Sequence, residues 1–231
     1  IGYQVLLGGN QQDPRASGSR MRWDHWLIGA LIGLAGEDCE GFLLELLRES
    51  QYEDEAARAL YRLVRIPQEK SSLFRNDVQS YVVAAGLRIV PQKRFVDEDK
   101  RNLYADTMKQ RLLDIAANGE GDSGNSSGRL KQLASNLSLF SRDEDVQLIL
   151  DQLSLEGKWD AWLVLGTIER LLFAGITLKA REVKKALDPV VKKIVDGDEW
   201  YQPDQQGSLL SKAINILLFS DDPTTSIELI S

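Results

Sequence analysis

The chain has 231 residues with a formal net charge of −7, 43% of them hydrophobic and 27% charged, a composition that builds a real core as one domain or two small ones. The acidic balance disfavours nucleic acid as the main partner, because sequence-independent affinity for phosphates comes from clustered Lys and Arg. A single cysteine, Cys39, excludes an intramolecular disulfide and a cysteine-rich zinc site; it fits a reducing compartment, so the cytoplasm is the expected location.

Ile1 to Leu7 is a short apolar piece, either a stray strand or the end of a preceding helix. Gly8 to Arg20 is polar and turn-forming, and residues 1–20 read as a linker or N-terminal extension. Its Gly8-Gly9-Asn10 lacks the glycine spacing and the Lys-Ser/Thr ending of a phosphate-binding loop. Trp26 to Ala35 is apolar nearly all round, as an inner helix is. The uncharged apolar run there, Trp26 to Gly36, is far shorter than the ~20 residues that cross a bilayer, and no basic n-region ahead of a cleavable apolar segment is visible. A chain that opens at Ile1 without methionine and stops inside the apolar pattern Ile227 to Ile230 fits a fragment of a larger protein.

Phe42 to Ser50 and Asp54 to Val64 read as two short amphipathic helices joined by a polar turn at Gln51 to Glu53. In the second, Ala56, Leu60, Leu63 and Val64 share one face, and small alanines allow a neighbouring helix to come close. Leu43-Leu44-Glu45-Leu46-Leu47, the turn, and Glu55 to Leu63 resemble a HEAT repeat, of the short type named after phycobilisome lyases. The resemblance covers about one repeat, and Arg65-Ile66-Pro67 stands where the family closes the second helix with glycine; the residue before a proline is pushed out of the helical region. The family implies an all-α fold, a right-handed stack of antiparallel helix pairs, and most often a protein-binding scaffold.

Leu73 to Val90 is the next helical stretch, ended by Pro91, and Val96 to Ala117 follows with Tyr104, Met108, Leu112 and Ile115 on one stripe. Residues 21–117 thus form one helical-repeat half. Asn118 to Gly128, rich in glycine and serine, is a flexible loop; it lacks the ligand pattern of an EF-hand. Its sequon Asn125-Ser126-Ser127 is idle without secretion.

Residues 129–231 form a second half continuous with the first. Leu130, Leu133, Ala134 and Leu137, then Val146, Ile149, Leu150 and Leu153, make two one-sided helices joined at Ser141-Arg142-Asp143. Trp159 to Phe173 is an inner helix ended by Gly175. Arg181 to Val195 puts Val183, Ala186, Leu187, Val190, Val191 and Ile194 inward, with a bend or break expected at Asp188-Pro189. The last helix, Leu209 to Phe219, turns Leu210, Ala213, Ile214 and Leu217 inward. Echoes at Leu139-Phe140-Ser141-Arg142-Asp143, Leu218-Phe219-Ser220-Asp221-Asp222, Leu34-Ala35-Gly36-Glu37-Asp38 and Leu172-Phe173-Ala174 are irregularly spaced, as in a degenerate repeat.

No catalytic, cofactor-binding or metal-binding residues are assigned. His25, the only histidine, and Cys39 lack the local signature of a nucleophilic pair, and one histidine excludes a histidine-rich metal site. The candidate binding residues are the basic face Arg181, Lys184, Lys185 and Lys192, for which a solvated outer face is the competing account, and the loop pair Trp200-Tyr201, which either anchors a partner or folds back on the last helices. The expected role is a non-catalytic helical-repeat module that binds a protein partner or another domain of its own chain, with no membrane contact. The alternative is a HEAT-like DNA-binding protein or an enzyme similar to the alkylpurine DNA glycosylases. A third is a regulatory segment of a nucleotide-hydrolysing switch protein.

Overall fold

The computed structural model describes residues 36–49, 52–65, 95–118, 126–155, 161–196 and 203–220. The expectations for the N-terminal extension, His25, the helix at 26–35, the helix at 73–90, Trp200-Tyr201 and the C-terminal end lie outside these residues. Within them the protein is all-α, with eight helices: α1 Glu40–Glu49, α2 Glu53–Val64, α3 Glu98–Asn118, α4 Ser126–Leu137, α5 Val146–Leu153, α6 Ala161–Phe173, α7 Ala180–Val195 and α8 Pro203–Leu218. The only β pairing among the described residues is an isolated antiparallel bridge between Arg65 and Phe95.

The turn between α1 and α2 falls where the polar residues break the apolar spacing. Glu53, Asp54 and Glu55 in the first turn of α2 and Arg62 in its last suit the helix dipole at each end. Ala56, Ala57 and Ala59 are buried, and their small side chains let α1 lie close along α2. Leu60 and Val64 complete that buried face, while Leu63 is only half-buried.

The central element is α4, which packs on α2 and α3 on one side and on α5 and α6 on the other. The pair α7 and α8 then closes on α6, and α7 also reaches α5. Leu130, Leu133, Ala134 and Leu137 of α4 are buried, as their spacing predicts. The helix begins at Ser126, so Ser126 to Gly128 belong to it rather than to the glycine-rich loop.

Buried charge reinforces this packing. Glu53 is 7% exposed; its carboxylate accepts from Arg111 Nε of α3 at 3.1 Å and from Arg129 Nε and Nη2 of α4 at 2.7 and 3.1 Å. At the α4–α5 junction Ser141 adopts a left-handed conformation, φ 49°. Arg101 of α3 satisfies that turn by donating to the carbonyls of Phe140 and Ser141, each at 2.7 Å. Next to it the buried Arg142 donates to Asp145 and, from α3, to Asp106, and Lys109 of α3 donates to Asp145 at 2.9 Å. Burial opposes the Arg142 charge, but the hydrogen bonds to Asp145 and Asp106 outweigh it and hold the guanidinium above its ordinary value.

Two expectations are corrected. The expected break at Asp188-Pro189 is absent, and α7 runs as one helix through Pro189: the ring costs one backbone hydrogen bond, and Leu187, Val190 and Ile194 stay buried on either side of it. In α8, Ile214 is 41% exposed, and Leu209, Ala213, Ile216 and Leu217 form the buried face instead. The inward stripe is set by packing on α6 and α7, which takes Leu209 and Ile216 in place of Ile214, while the helix itself starts earlier than expected, at Pro203.

Lys131 of α4 is 1% exposed, and no carboxylate pairs with it among the described residues. Burial, with the charge of Lys193 adding, lowers its ammonium to about 8. The unfolded chain therefore binds more protons than the folded one between about pH 8 and 10.5, and stability rises with pH across that window. Lys131→Met is expected to stabilise the protein by about 1–2 kcal/mol at pH 7, the advantage shrinking as the pH is raised through the window; urea denaturation of both proteins at several pH values measures it.

Candidate functional site

The face of α2 turned away from its apolar stripe carries Arg58, Tyr61 and Arg62, spaced i, i+3 and i+4, and Arg65 follows at i+7 just past the end of the helix. They form one wall of a cleft of about 220 Å³, completed by Ser135 and Asn136 of α4, by Leu139 just beyond it, and by Arg170 in the last turn of α6. Three helices that are distant in sequence thus meet at one recess. Four of its eight lining residues are arginines, in a chain of net charge −7.

The floor of the cleft is fixed by hydrogen bonds. Arg170 Nη1 donates to the Ser135 carbonyl and to Ser138 Oγ, both at 2.8 Å. Ser138 Oγ donates to the same Ser135 carbonyl at 2.6 Å, and Thr167 Oγ1 of α6 donates to Ser135 Oγ at 2.9 Å. Burial pushes the Arg170 guanidinium below its ordinary value, and the neighbouring charge of Arg58 pushes it the same way. Asn136 is 2% exposed, and its Nδ2 has no hydrogen-bond partner among the described residues.

The walls are less constrained. Tyr61 is braced edge-on by Phe95 and Phe140, at centroid distances of 6.1 and 6.3 Å, and the Arg65 guanidinium lies 5.9 Å from its ring centroid. Arg58 pairs with Asp54 at 3.0 Å, and Asp54 also accepts from Gln132 at 2.8 Å. Arg62 and Arg65 have no carboxylate partner among the described residues and are exposed. The cleft therefore keeps a surplus of positive charge and of N–H donors.

A second recess, about 310 Å³, lies between α6 and α8. Trp162 at its edge is 45% exposed, and Lys212 sits 5.7 Å from the indole centroid while pairing with Glu169 at 2.7 Å. Its charges are matched internally, so it offers no net electrostatic pull.

The residues singled out in the sequence lie elsewhere. Arg181, Lys184, Lys185 and Lys192 are on α7 and line neither recess. Lys184 donates to both oxygens of Asp188, at 2.7 and 2.8 Å, and Lys185 reaches Asp151 of α5 at 3.4 Å; Arg181 and Lys192 are exposed. Half of that basic face is thus locally neutralised. Cys39 is buried, its Sγ donates to the Gly36 carbonyl at 2.8 Å, and burial pushes its thiol up, away from the thiolate that reacts. Among the described residues no cluster of three or more His, Cys, Asp or Glu side chains has the arrangement to hold a metal ion, and no helix is long and apolar enough to cross a membrane.

The arginine stripe of α2 was present in the sequence as an i, i+3, i+4, i+7 spacing, overlooked because that helix was read only for its apolar face. Nothing local marks Asn136 or Arg170, which join the cleft through the packing of α4 and α6. Compared with models of known protein families, with curated proteins and with solved structures, the chain matches none.

Removing the Arg170 guanidinium leaves the buried Ser135 and Ser138 acceptors short of a donor. Arg170→Met is therefore expected to lower stability by about 1–3 kcal/mol, whereas Lys184→Ala, on a half-exposed pair, changes it by less than about 0.5 kcal/mol. Denaturant midpoints of the two variants provide the comparison.

Proposed function

We propose that this chain is a non-catalytic helical-repeat module, a right-handed HEAT-like stack of antiparallel helix pairs, that works as a scaffold for binding another protein. The observation that carries the reading is the arginine cleft. A recess built by α2, α4 and α6 together is the kind of composite surface that stacked helices present, and that a single helix pair does not. The likeness of Leu43 to Leu63 to a HEAT repeat supports the same reading. A helical stack hosts many roles, so the site rather than the fold defines this one.

The partner that fits is an anionic segment of a protein. Arg62 and Arg65 are exposed and unpaired by carboxylates among the described residues, while Arg170 is held in place beneath them. Arginine suits such an interface because its planar fork engages oxyanions bidentately and loses little freedom in doing so. The DNA-binding alternative is supported less well: the positive charge is gathered in one recess rather than along a track, and the basic face of α7 is half neutralised by Asp188 and Asp151.

A photo-cross-linking side chain placed at position 62 tests the reading in the source cells. Protein adducts are expected at position 62, absent when the same group is placed at Leu113, which is exposed on α3, and reduced about tenfold or more when Arg58 and Arg65 are both changed to Glu. Equal adducts at the two positions, or adducts indifferent to the charge reversal, overturn it.

A further inference from the structure

Within the cleft the donors outnumber what a carboxylate can use. A carboxylate presents two oxygens, whereas a phosphate monoester presents three strong acceptors and about −2 charge. The walls supply the guanidiniums of Arg58, Arg62, Arg65 and Arg170. Arg58 already shares its charge with Asp54, leaving three arginines with no carboxylate partner among the described residues. The hydrogen bonds Arg170 makes among the described residues both use Nη1, so the remaining edge of its fork is available. Asn136 adds a separate signal: a buried amide Nδ2 without a partner among the described residues, in a residue that lines the same recess. A buried N–H left unpaired costs about 1–3 kcal/mol, and an acceptor arriving in the cleft recovers that cost.

We infer that the α2–α4–α6 cleft is a receptor for a phosphorylated side chain of a partner protein, with Arg62, Arg65 and Arg170 holding the phosphoryl oxygens and Asn136 contributing an amide donor. This rests on the reading of the cleft as the protein-binding surface. A single recess of about 220 Å³ takes one phosphoryl group with part of its side chain, and the Tyr61 ring gives the carbon stem an apolar wall. Among the described residues it does not extend into a groove that would follow a polynucleotide backbone, and the net charge of −7 repels one. Recognition of a phospho-motif by clustered arginines is a general mode of peptide binding.

The full 231-residue chain, labelled with ¹⁵N, is titrated at constant ionic strength with inorganic phosphate, N-acetyl-O-phosphoserine amide, N-acetylserine amide and a short single-stranded oligonucleotide, following the Asn136 side-chain amide and the arginine Nε–H resonances. Saturable shifts are expected with phosphate and with the phosphoserine compound, the latter binding more tightly, and none with the unphosphorylated one. In Arg62→Ala/Arg65→Ala, two exposed positions that leave the core intact, affinity is expected to fall about tenfold or more, while Lys184→Ala leaves it unchanged. The inference is overturned by shifts that do not saturate, by equal affinity in the double variant, by serine and phosphoserine compounds that bind alike, or by an oligonucleotide that moves the same resonances at lower concentration. Adducts at position 62 without phosphate selectivity leave the scaffold reading standing and remove the phosphoryl one; saturable phosphoserine binding without adducts removes the scaffold reading and, with it, the assignment of the phosphoryl group to a partner protein.

Discussion

The Glu53 carboxylate is the constraint on which the arrangement of the first four helices depends. It sits at the start of α2, nearly excluded from water, and takes guanidinium donors from both α3 and α4. Apolar faces alone allow packed helices to slide, since burial is non-directional. A buried carboxylate with two arginine partners has a narrow set of satisfied geometries, and losing either partner leaves charge uncompensated. Glu53 therefore sets how far along α2 the other two helices lie. The arginine stripe on the opposite side of α2 inherits that position relative to Asn136.

A second polar cluster does the same at the other end of α4. Arg101, Lys109 and Asp106 of α3 meet Phe140, Ser141, Arg142 and Asp145, so that a left-handed turn and a buried arginine are held by one neighbouring helix. The ring sequence Phe95, Tyr61, Phe140, Tyr104 runs between the two clusters with edge-on contacts of 6.1 to 6.3 Å. Tyr61 belongs both to this internal chain and to the wall of the cleft. The site is in this sense an outward extension of the core.

The apolar faces were legible from spacing alone. Tyr104, Met108, Leu112 and Ile115 on α3, and the four-residue stripe of α4, are buried as the period of 3.6 demands. Ile214 is exposed because Leu209, Leu210, Ile214, Ile216 and Leu217 offer more than one apolar stripe, and contact with α6 and α7 selects among them. Pro189 was read as a boundary because local propensity disfavours it, and tertiary burial on both sides overrides that preference. The basic residues of α7 stand out because they share its polar face; half of them are satisfied by carboxylates, Lys184 by Asp188 one turn on and Lys185 by Asp151 of α5, a partner that no spacing along α7 reveals. The cleft needed contacts between residues as far apart as 58 and 170, which no window of sequence contains.

The bridge between Arg65 and Phe95, with Val96 N–H donating to the Val64 carbonyl at 2.8 Å, brings two distant points of the backbone side by side. The chain that leaves at residue 66 and the chain that returns at residue 94 start and finish at one place. The end of α2 and the approach to α3 are thereby tied through backbone as well as side chains, and Arg65, at the rim of the cleft, is held by a contact outside its own helix.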